Sequence, residues 1–260
     1  MYNMNEVLNS LKEVPAMPNV IIHALNVMKD PESSTKELAR IVSCDQSLST
    51  KILTLVNSAY YGFPQQITSI SRALTLIGMS KAKNIILAVA MRPMLINHGD
   101  KELWKHSIVT AVGCEHLMGV DDAFVMGFLH DLGKIVLNLK DPKLYEQVCH
   151  LAKTGVDIID AEKQLFGADH CVMGSLLAKR WQLPILIANV MKYHHNPNLS
   201  SMPTACSLVY FIDKLVKEDW VEEELDESIM KNINIRLPQS DVLREAIMTK
   251  ADVLLKELST

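Results

Sequence analysis

The sequence predicts an all-α, multi-helical protein, and three observations lead to that fold class. Apolar residues recur at spacings of three and four along most of the chain, which is the period of an amphipathic helix. No stretch alternates apolar and polar residues between hairpin turns, so a β-sheet is not expected. Hydrophobic residues make up 48% of the 260 residues, enough to bury a sizeable core. We therefore expect an N-terminal helical lobe packed on a second helical lobe.

The N-terminal lobe is predicted over residues 1–98. Ser34 and Glu37 form the capping-box pattern that opens a helix, and the apolar stripe of that helix follows at once. A polar break at residues 97–101 marks the predicted end of the lobe. Its last two helices are expected at Ile67–Ile77 and Ala82–Met94.

The second lobe is predicted over residues 99–216, and a helical tail over residues 217–260. Each segment repeats the same pattern, an apolar stripe bounded by turn residues. The expected helices are Leu103–Met118, Ala123–Leu139, Pro142–Thr154, Ile158–Phe166, Cys171–Trp181, Ile185–Tyr193 and Thr204–Val216, followed in the tail by Ser240–Leu258.

The charge balance argues against nucleic acid and anionic membranes as partners. Lys and Arg total 26 and Asp and Glu total 30, which gives a formal net charge of −4. A protein that binds polyanions through its surface usually has a basic excess on at least one face. A regulator that binds DNA is therefore the weakest of the functional hypotheses.

Two further features predict a cytoplasmic protein. The most apolar segment, Ala82–Ile96, contains Lys83 and Arg92 and is interrupted by Pro93, so it is not expected to span a bilayer. The 5 cysteines are scattered without a CxxC pair, a pattern typical of reduced, buried thiols.

The dipeptide His130-Asp131 is the first candidate for chemistry. A chain with 9 His and 15 Asp contains roughly 0.5 such pairs by chance, so the dipeptide alone carries little weight. Its context is the apolar run 124–134, predicted to be a single helix that buries the pair. A buried pair of this kind is costly unless its polar atoms are satisfied, and a metal ion would satisfy both. Lys134, four residues after His130, is expected on the same side, where it could receive a phosphate.

Further candidate ligands are spread over the second lobe. Each histidine taken alone has an ordinary alternative, a core or surface residue that is satisfied by a neighbour. Asp213 lies in the apolar run 209–213, so it is another carboxylate at a position predicted to be buried. The remaining candidates are His106, His170, His194 and His195.

These residues carry a resemblance to a known superfamily. The order His106, His130-Asp131, Asp213 resembles the metal-binding pattern of HD-domain phosphohydrolases. His170 and the pair His194-His195 resemble the extra histidines that build a second metal position in the HD-GYP branch.

The chain is most similar to the HDOD family (HD-related output domain), over about residues 10–216. The most specific stretch is 57–62, with the sequence Asn-Ser-Ala-Tyr-Tyr-Gly. Other matching segments follow in order at residues 15–18, 30–31, 38–42, 45–48, 67–70, 76–78, 103–107, 130–134, 181–184 and 194–197. The resemblance implies that the second lobe is HD-like and that the protein is regulatory, acting in bacterial signalling.

The sequence differs from the HDOD family in one respect and from the HD-GYP branch in another. Many HDOD members lack metal ligands, whereas the ligand set of this chain is nearly complete. After His194-His195, residues 196–201 read Asn-Pro-Asn-Leu-Ser-Ser without the Gly-Tyr-Pro motif of the HD-GYP branch. Hydrolysis of cyclic di-GMP is therefore not favoured. No receiver or cyclase segment is recognised, so we expect the signalling partner to be a separate chain.

Two functional hypotheses follow. The first is a regulatory module that binds metal or a small nucleotide-like ligand and contacts a separate signalling protein. The second is a metal-dependent phosphohydrolase in which Asp131 and Lys134 are catalytic. Nitrogen and oxygen ligands do not choose among iron, manganese, zinc and nickel.

Overall fold

The computed structural model describes residues 4–27, 34–58, 61–119, 122–218, 220–221, 225–233 and 237–259. Within these residues every regular element is a helix and no strand forms, which confirms the all-α prediction. The chain divides into two compact units, a smaller one (Met17–Pro93 with Thr249–Thr260) and a larger one (Met1–Ala16 with Met94–Met248). As domain assignments, the predicted segments 1–98, 99–216 and 217–260 stay a prediction.

Three helices of the smaller unit begin at side-chain caps. Ser34, Asp45 and Ser69 each accept a hydrogen bond from a backbone N–H of the first turn, as N-caps do. The Ser34 half of the predicted capping box is thus present, with Glu37 N–H as the donor. The helices of this unit are α2 (Asn19–Val27), α3 (Thr35–Ser43), α4 (Gln46–Val56), α5 (Ile70–Ile77) and, up to the unit boundary, α6 (Met79–His98).

The family-specific stretch 57–62 has a structural role at its first residue. The Asn57 side chain donates to the Ile67 carbonyl at 2.8 Å and accepts from the Ile67 N–H at 2.7 Å. It thereby ties the end of α4 to the segment that leads into α5, because one amide side chain satisfies both backbone groups of one residue. Ala59 and Tyr60 lie outside the described residues.

Helix α6 is longer than expected. It passes through Pro93 and continues to His98, whereas the sequence predicted its end at Met94. Among the described helices, none is by itself long and apolar enough to cross a membrane. Helices α5 and α6 meet that criterion only as a pair, and the pair is bent by 118°.

The larger unit contains the remaining helices, and most of its caps are aspartates. Asp100, Asp141, Asp157 and Asp169 accept bonds from the first turns of four of these helices. The helices are α1 (Met4–Ser10), α7 (Lys101–Met118), α8 (Ala123–Leu129), α9 (Gly133–Lys140), α10 (Pro142–Lys153), α11 (Ile158–Phe166), α12 (His170–Arg180), α13 (Ile185–Tyr193), α14 (Pro203–Leu215), α15 (Glu227–Met230) and the first half of α16 (Ser240–Ser259).

The single helix predicted over Ala123–Leu139 is wrong. The structure has two helices, α8 and α9, joined by a tight turn at residues 130–132. The turn is closed by a hydrogen bond that the Lys134 N–H, in the first turn of α9, donates to the Asp131 carbonyl. The physical reason lies at Gly133, where a Cβ atom would overlap the carbonyl oxygen of His170 on α12. The backbones of α9 and α12 approach so closely that only glycine fits, and the turn directs α9 toward α12.

A second close approach holds the other side of the turn. A Cβ atom on Gly127 of α8 would lie 2.7 Å from the Thr110 carbonyl oxygen of α7. Ordinary side chains keep neighbouring helix axes 8–10 Å apart, and glycine allows a shorter distance. The His-Asp turn is therefore held between α7 on one side and α12 on the other.

Candidate metal centre

Two groups of side chains converge on the turn between α8 and α9. We call His106, His130, Asp131 and Asp213 the outer cluster, and His170, Cys171, His194 and His195 the inner cluster. Within each cluster, one candidate ligand atom per residue lies within 4.8 Å of all the others. The structure thus brings together all seven side chains singled out from the sequence. Their role as metal ligands stays a prediction.

The outer cluster is assembled from three parts of the larger unit. Helix α7 supplies His106, α14 supplies Asp213, and the turn supplies His130 and Asp131. The Nε2 atom of His106 lies 2.9 Å from Asp213 Oδ1 and 3.3 Å from His130 Nε2. Asp131 Oδ2 completes the group at 3.3 Å from His130 Nε2 and 3.5 Å from His106 Nε2.

The carboxylate of Asp131 is named with the outer cluster but also faces the inner one, and in this sense the two clusters share it. While its Oδ2 atom faces the outer histidines, its Oδ1 atom lies 3.2 Å from His170 Nε2 and 3.5 Å from His194 Nε2. The Oδ1 atom is fully buried and makes no hydrogen bond within the described residues. A buried carboxylate oxygen without a partner is costly, and a cation next to it would remove that cost.

The inner histidines are oriented by acceptors on their outer edges. His170 Nδ1 lies 2.7 Å from Glu162 Oε2, and His194 Nδ1 lies 3.1 Å from the Val190 carbonyl oxygen. Oxygen atoms of this kind only accept, so each Nδ1 carries the proton, and the Nε2 atom of the neutral ring carries a lone pair. His130 follows the same rule, since its Nδ1 atom donates to the Gly127 carbonyl at 2.7 Å.

With this tautomer, the inner cluster favours the binding of a cation. The Nε2 atoms of His170 and His194 are 3.4 Å apart, and in the neutral rings neither has a proton to donate. Their lone pairs face each other, which is unfavourable unless a proton or a metal ion lies between them. Ligands about 2.1 Å from a tetrahedral ion are roughly 3.4 Å apart, close to the separations found in both clusters.

Burial differs between the clusters. His130, His170 and His194 are at most 1% exposed, whereas the side chain of His106 is 22% exposed and that of Lys134 is 18% exposed. These two exposed groups line a cavity of about 220 Å³ that leads to the outer cluster, and the phenol of Tyr145 forms part of its wall.

Both outer carboxylates are ionised at neutral pH. Burial raises the pKa of Asp131, but His130 and the Lys134 ammonium lower it more, so it stays well below its usual range. Burial acts on Asp213 in the same direction, and Lys217 at 3.1 Å, with His106, holds its pKa well below the usual range. Lys134, in a salt bridge with Asp131, keeps its proton: burial lowers its pKa, and the Asp131 and Asp213 carboxylates raise it above its ordinary value.

Cys171 and His194 form a coupled pair at the edge of the inner cluster, with Sγ 3.9 Å from His194 Nδ1. Burial raises the pKa of the thiol, but the two neighbouring histidines lower it to about 6. Burial lowers the pKa of His194, but the Cys171 thiolate and Asp131 raise it to about 9. For His195, burial and the neighbouring histidines all lower the pKa, so its ring is neutral and able to bind a metal.

Three residues around the site did not stand out in the sequence. Glu162 is completely buried and accepts hydrogen bonds from both the backbone N–H and the ring of His170. It lies on the apolar stripe of α11, a position where a carboxylate is unusual, and that is the signal that could have identified it. Lys217 lies one helical turn after Asp213, and Cys171 directly follows His170.

Fold and site together define a class of protein, an all-helical domain in which histidines from three helices surround a buried His-Asp turn. Residues 14–197 match the HDOD domain family. This match covers more than half of the chain, so the chain belongs to the HDOD family, as its sequence motifs predicted.

A known bacterial protein is similar to this chain over most of the chain's length. An uncharacterized protein from Treponema pallidum (strain Nichols) is 24% identical over an alignment of 226 residues, which covers 80% of this chain and 44% of that protein. The chain therefore spans less than half the length of this relative.

Solved structures confirm the fold. A protein of Marinobacter aquaeolei VT8, provisionally named a signal transduction protein, matches with a TM-score of 0.82 and 16% identity, over 98% of this chain and 65% of that one. A protein of Shewanella amazonensis SB2B, provisionally named a phosphohydrolase, matches with a TM-score of 0.75 and 21% identity, over 97% and 98%. At these identities the likeness establishes the fold alone.

Proposed function

We propose that the protein is a metal-dependent phosphohydrolase that acts in signal transduction. Two divalent ions would be held, one on each side of Asp131. The observation that carries this proposal is the shared carboxylate. Asp131 Oδ2 faces the outer histidines and Oδ1 faces the inner ones, at separations of 3.2 to 3.5 Å. A carboxylate placed in this way is suited to bridge two ions.

The outer ion would be held by His106, His130, Asp131 and Asp213, and the inner ion by Asp131, His170, His194 and His195. Nitrogen and oxygen donors of this kind suit iron, manganese, zinc and nickel, so the ligands leave the choice among them open. When bound, divalent ions polarise a phosphoryl group and lower the pKa of water.

The chain itself contributes position and charge. The Lys134 ammonium lies at the wall of the cavity next to the outer cluster, where it would attract and orient a phosphoryl oxygen. Asp131 holds Lys134 in place, and the raised pKa of Lys134 keeps it charged. The burial of His130 and Asp131 excludes water from the far side of the site, so a substrate would approach from the side of His106.

A purely regulatory module is the second candidate, and one observation favours it. Asp131 and Asp213 already have lysine partners, Lys134 and Lys217, which neutralise the carboxylates. A cluster balanced in this way could bind a metal and a phosphate-bearing ligand and signal to a separate protein without turnover.

Metal analysis combined with an assay distinguishes the two candidates. The protein is loaded separately with manganese, iron, zinc and nickel, and metal content and hydrolysis of phosphate esters are measured. The phosphohydrolase proposal expects close to two ions per chain and turnover that His130→Ala abolishes. The matched control is His150→Ala, which removes an exposed histidine of α10 away from the site. Full metal loading without turnover of any ester would contradict hydrolysis and leave the regulatory candidate.

A further inference from the structure

The cavity beside the outer cluster is distinctive in where it places charge. Its wall contains two groups of the proposed site, His106 and Lys134. Two of its exposed lining residues are carboxylates, Asp100 and Glu102, from the start of α7. The lining therefore combines a cation next to the outer cluster with two solvent-exposed anions, which a bound molecule that reaches solvent past α7 would meet.

The space is small. A volume of about 220 Å³ corresponds to roughly seven water molecules at about 30 Å³ each. Pockets that enclose a drug-sized ligand usually measure about 300–1,000 Å³. The cavity thus has room for a phosphoryl group and a few adjoining atoms, while the remainder of the substrate would extend past Asp100 and Glu102.

The side walls between these two ends are apolar or carry neutral polar groups. Leu103 and Ile158 provide apolar surface, and Asn138 and Tyr145 provide an amide and a phenol. The phenol stays protonated at neutral pH because burial and the nearby carboxylate of Glu162 raise its pKa well above the ordinary value. Neutral polar groups of this kind suit an uncharged hydroxylated body such as a sugar.

The carboxylate of Asp100 is fixed, because its Oδ1 atom accepts a hydrogen bond from Leu103 N–H at 2.6 Å. This N-cap bond orients the carboxylate at the start of α7, on the wall of the cavity. Glu102, an exposed residue of the first turn of α7, adds a second negative charge on the same side. Among the residues that line the cavity, a second phosphate would meet both of these negative charges, and Lys134 is the one lysine of that lining.

We infer that the preferred substrate carries a single phosphoryl group on an uncharged body, and that Asp100 and Glu102 disfavour diphosphates and cyclic dinucleotides. This inference rests on the proposed function, since it assigns the substrate class of the same site. Asp100 and Glu102 act here as specificity-determining residues.

The test compares three ligands on the metal-loaded protein: a nucleoside 5′-monophosphate, the matching 5′-diphosphate and a cyclic dinucleotide. Turnover is measured as kcat/KM, and binding is measured separately by titration calorimetry. The monophosphate is expected to have the highest kcat/KM and the tightest binding. A wild-type preference for the diphosphate or the cyclic dinucleotide would overturn the inference.

The variant Glu102→Lys tests the charge argument directly. It is expected to raise the diphosphate-to-monophosphate ratio of kcat/KM about threefold, mainly through KM, because screened charges at this range interact weakly. The matched control Glu245→Lys, on an exposed position of α16 outside the cavity, should leave the ratio unchanged. If the lysine variant folds poorly, Glu102→Gln should shift the ratio in the same direction by a smaller factor. An unchanged ratio in a folded Glu102 variant would overturn the assigned role.

Failure of the inference and failure of the proposed function give different results. If the protein turns over these ligands but the monophosphate does not have the highest kcat/KM, the hydrolase proposal stands and the inference about the substrate is wrong. Absence of turnover in fully metal-loaded protein removes the hydrolase proposal, and the calorimetric order of the same ligands then decides the inference. If no ligand binds, both are wrong.

Discussion

The outer and inner clusters share Asp131 but differ in what surrounds them. The outer cluster is in contact with a cavity, and its two carboxylates are balanced by the partly exposed lysine side chains Lys134 and Lys217. The inner histidines His170 and His194 are sealed, and their rings are fixed by Glu162 and by a backbone carbonyl.

Under the proposed function, this difference predicts different tasks for the two halves of the site. Fixed second-sphere acceptors set the tautomer and the ring direction of a ligand, which increases affinity for a metal. Lysines that pair with ligating carboxylates compete with a metal but are available to an anionic substrate. We therefore expect the inner position to bind its ion more tightly and the outer position to meet the substrate. The predictions below test this contrast.

The largest effect is expected from Asp131→Asn, because this change removes the carboxylate that both clusters share. We expect metal content to fall at both positions and hydrolytic activity to drop about a thousandfold, the equivalent of about 4 kcal/mol of transition-state stabilisation. Elemental analysis and the ester assay measure these effects. Asp160→Asn, at an exposed position of α11, is the control. Retention of two ions by Asp131→Asn would show that the carboxylate is not a bridge.

A substitution at the helix crossing should disturb the inner cluster more than the outer one. In Gly133→Ala the new Cβ would overlap the His170 carbonyl, so α9 and α12 must separate. Overpacking of this kind costs about 1–3 kcal/mol of unfolding free energy, and we expect the inner position to lose its ion first. Urea unfolding and metal titration measure the two effects.

The control for that substitution is Gly155→Ala. Gly155 has a φ of 93° and nothing near its Cβ position, so alanine there introduces only backbone strain of about 1 kcal/mol. If the two variants behave alike in metal titration, the close contact between α9 and α12 at Gly133 does not position the inner cluster.

Much of the fold was predictable because it rests on local patterns. The apolar stripes located the helices α10 to α14 to within a residue or two of their bounds, and Ser34 marked the start of α3. The break at residues 130–132 was not predictable, because it depends on the contact between Gly133 and a carbonyl 37 residues further along the chain. No local pattern contains that information.

The candidate site, too, was predictable where it depends on local sequence and not where it depends on tertiary structure. Burial of His130 and Asp131 was predicted from their apolar neighbours, and the structure confirms that burial. Glu162 was overlooked because a glutamate on a helix is usually solvated, and only the packing of α11 near His170 reveals its role. The two-sided position of Asp131 also depends on tertiary structure, since it requires the relative placement of three helices.

Glu162→Gln should sharpen the contrast between the clusters. Glutamine keeps an oxygen acceptor near His170 but removes the negative charge that supports the ring. Loss of a second-sphere partner typically costs about 10- to 100-fold in metal affinity, and we expect that loss at the inner position alone. Competition with a chelator resolves the two affinities. Glu146→Gln, at an exposed position of α10, should change neither of them, and an equal loss at both positions would contradict the assignment.

The smallest effect is a pH dependence of metal binding at the inner position. The pKa of His194 is raised to about 9, because the Cys171 thiolate and Asp131 outweigh the effect of burial. Below that pH a binding metal must displace the His194 proton. Burial lowers the pKa of His170, but Glu162 raises it, so His170 adds a second proton to displace. Metal affinity should therefore rise at least about tenfold per pH unit from 7 to 9 and level off once both rings are neutral. Chelator competition at pH 7, 8 and 9 measures the slope. In Cys171→Ser the thiolate is absent, the pKa of His194 should fall, and the plateau should begin at a lower pH. A flat affinity profile in the wild type would mean that His194 is already neutral at pH 7, and it would contradict this prediction.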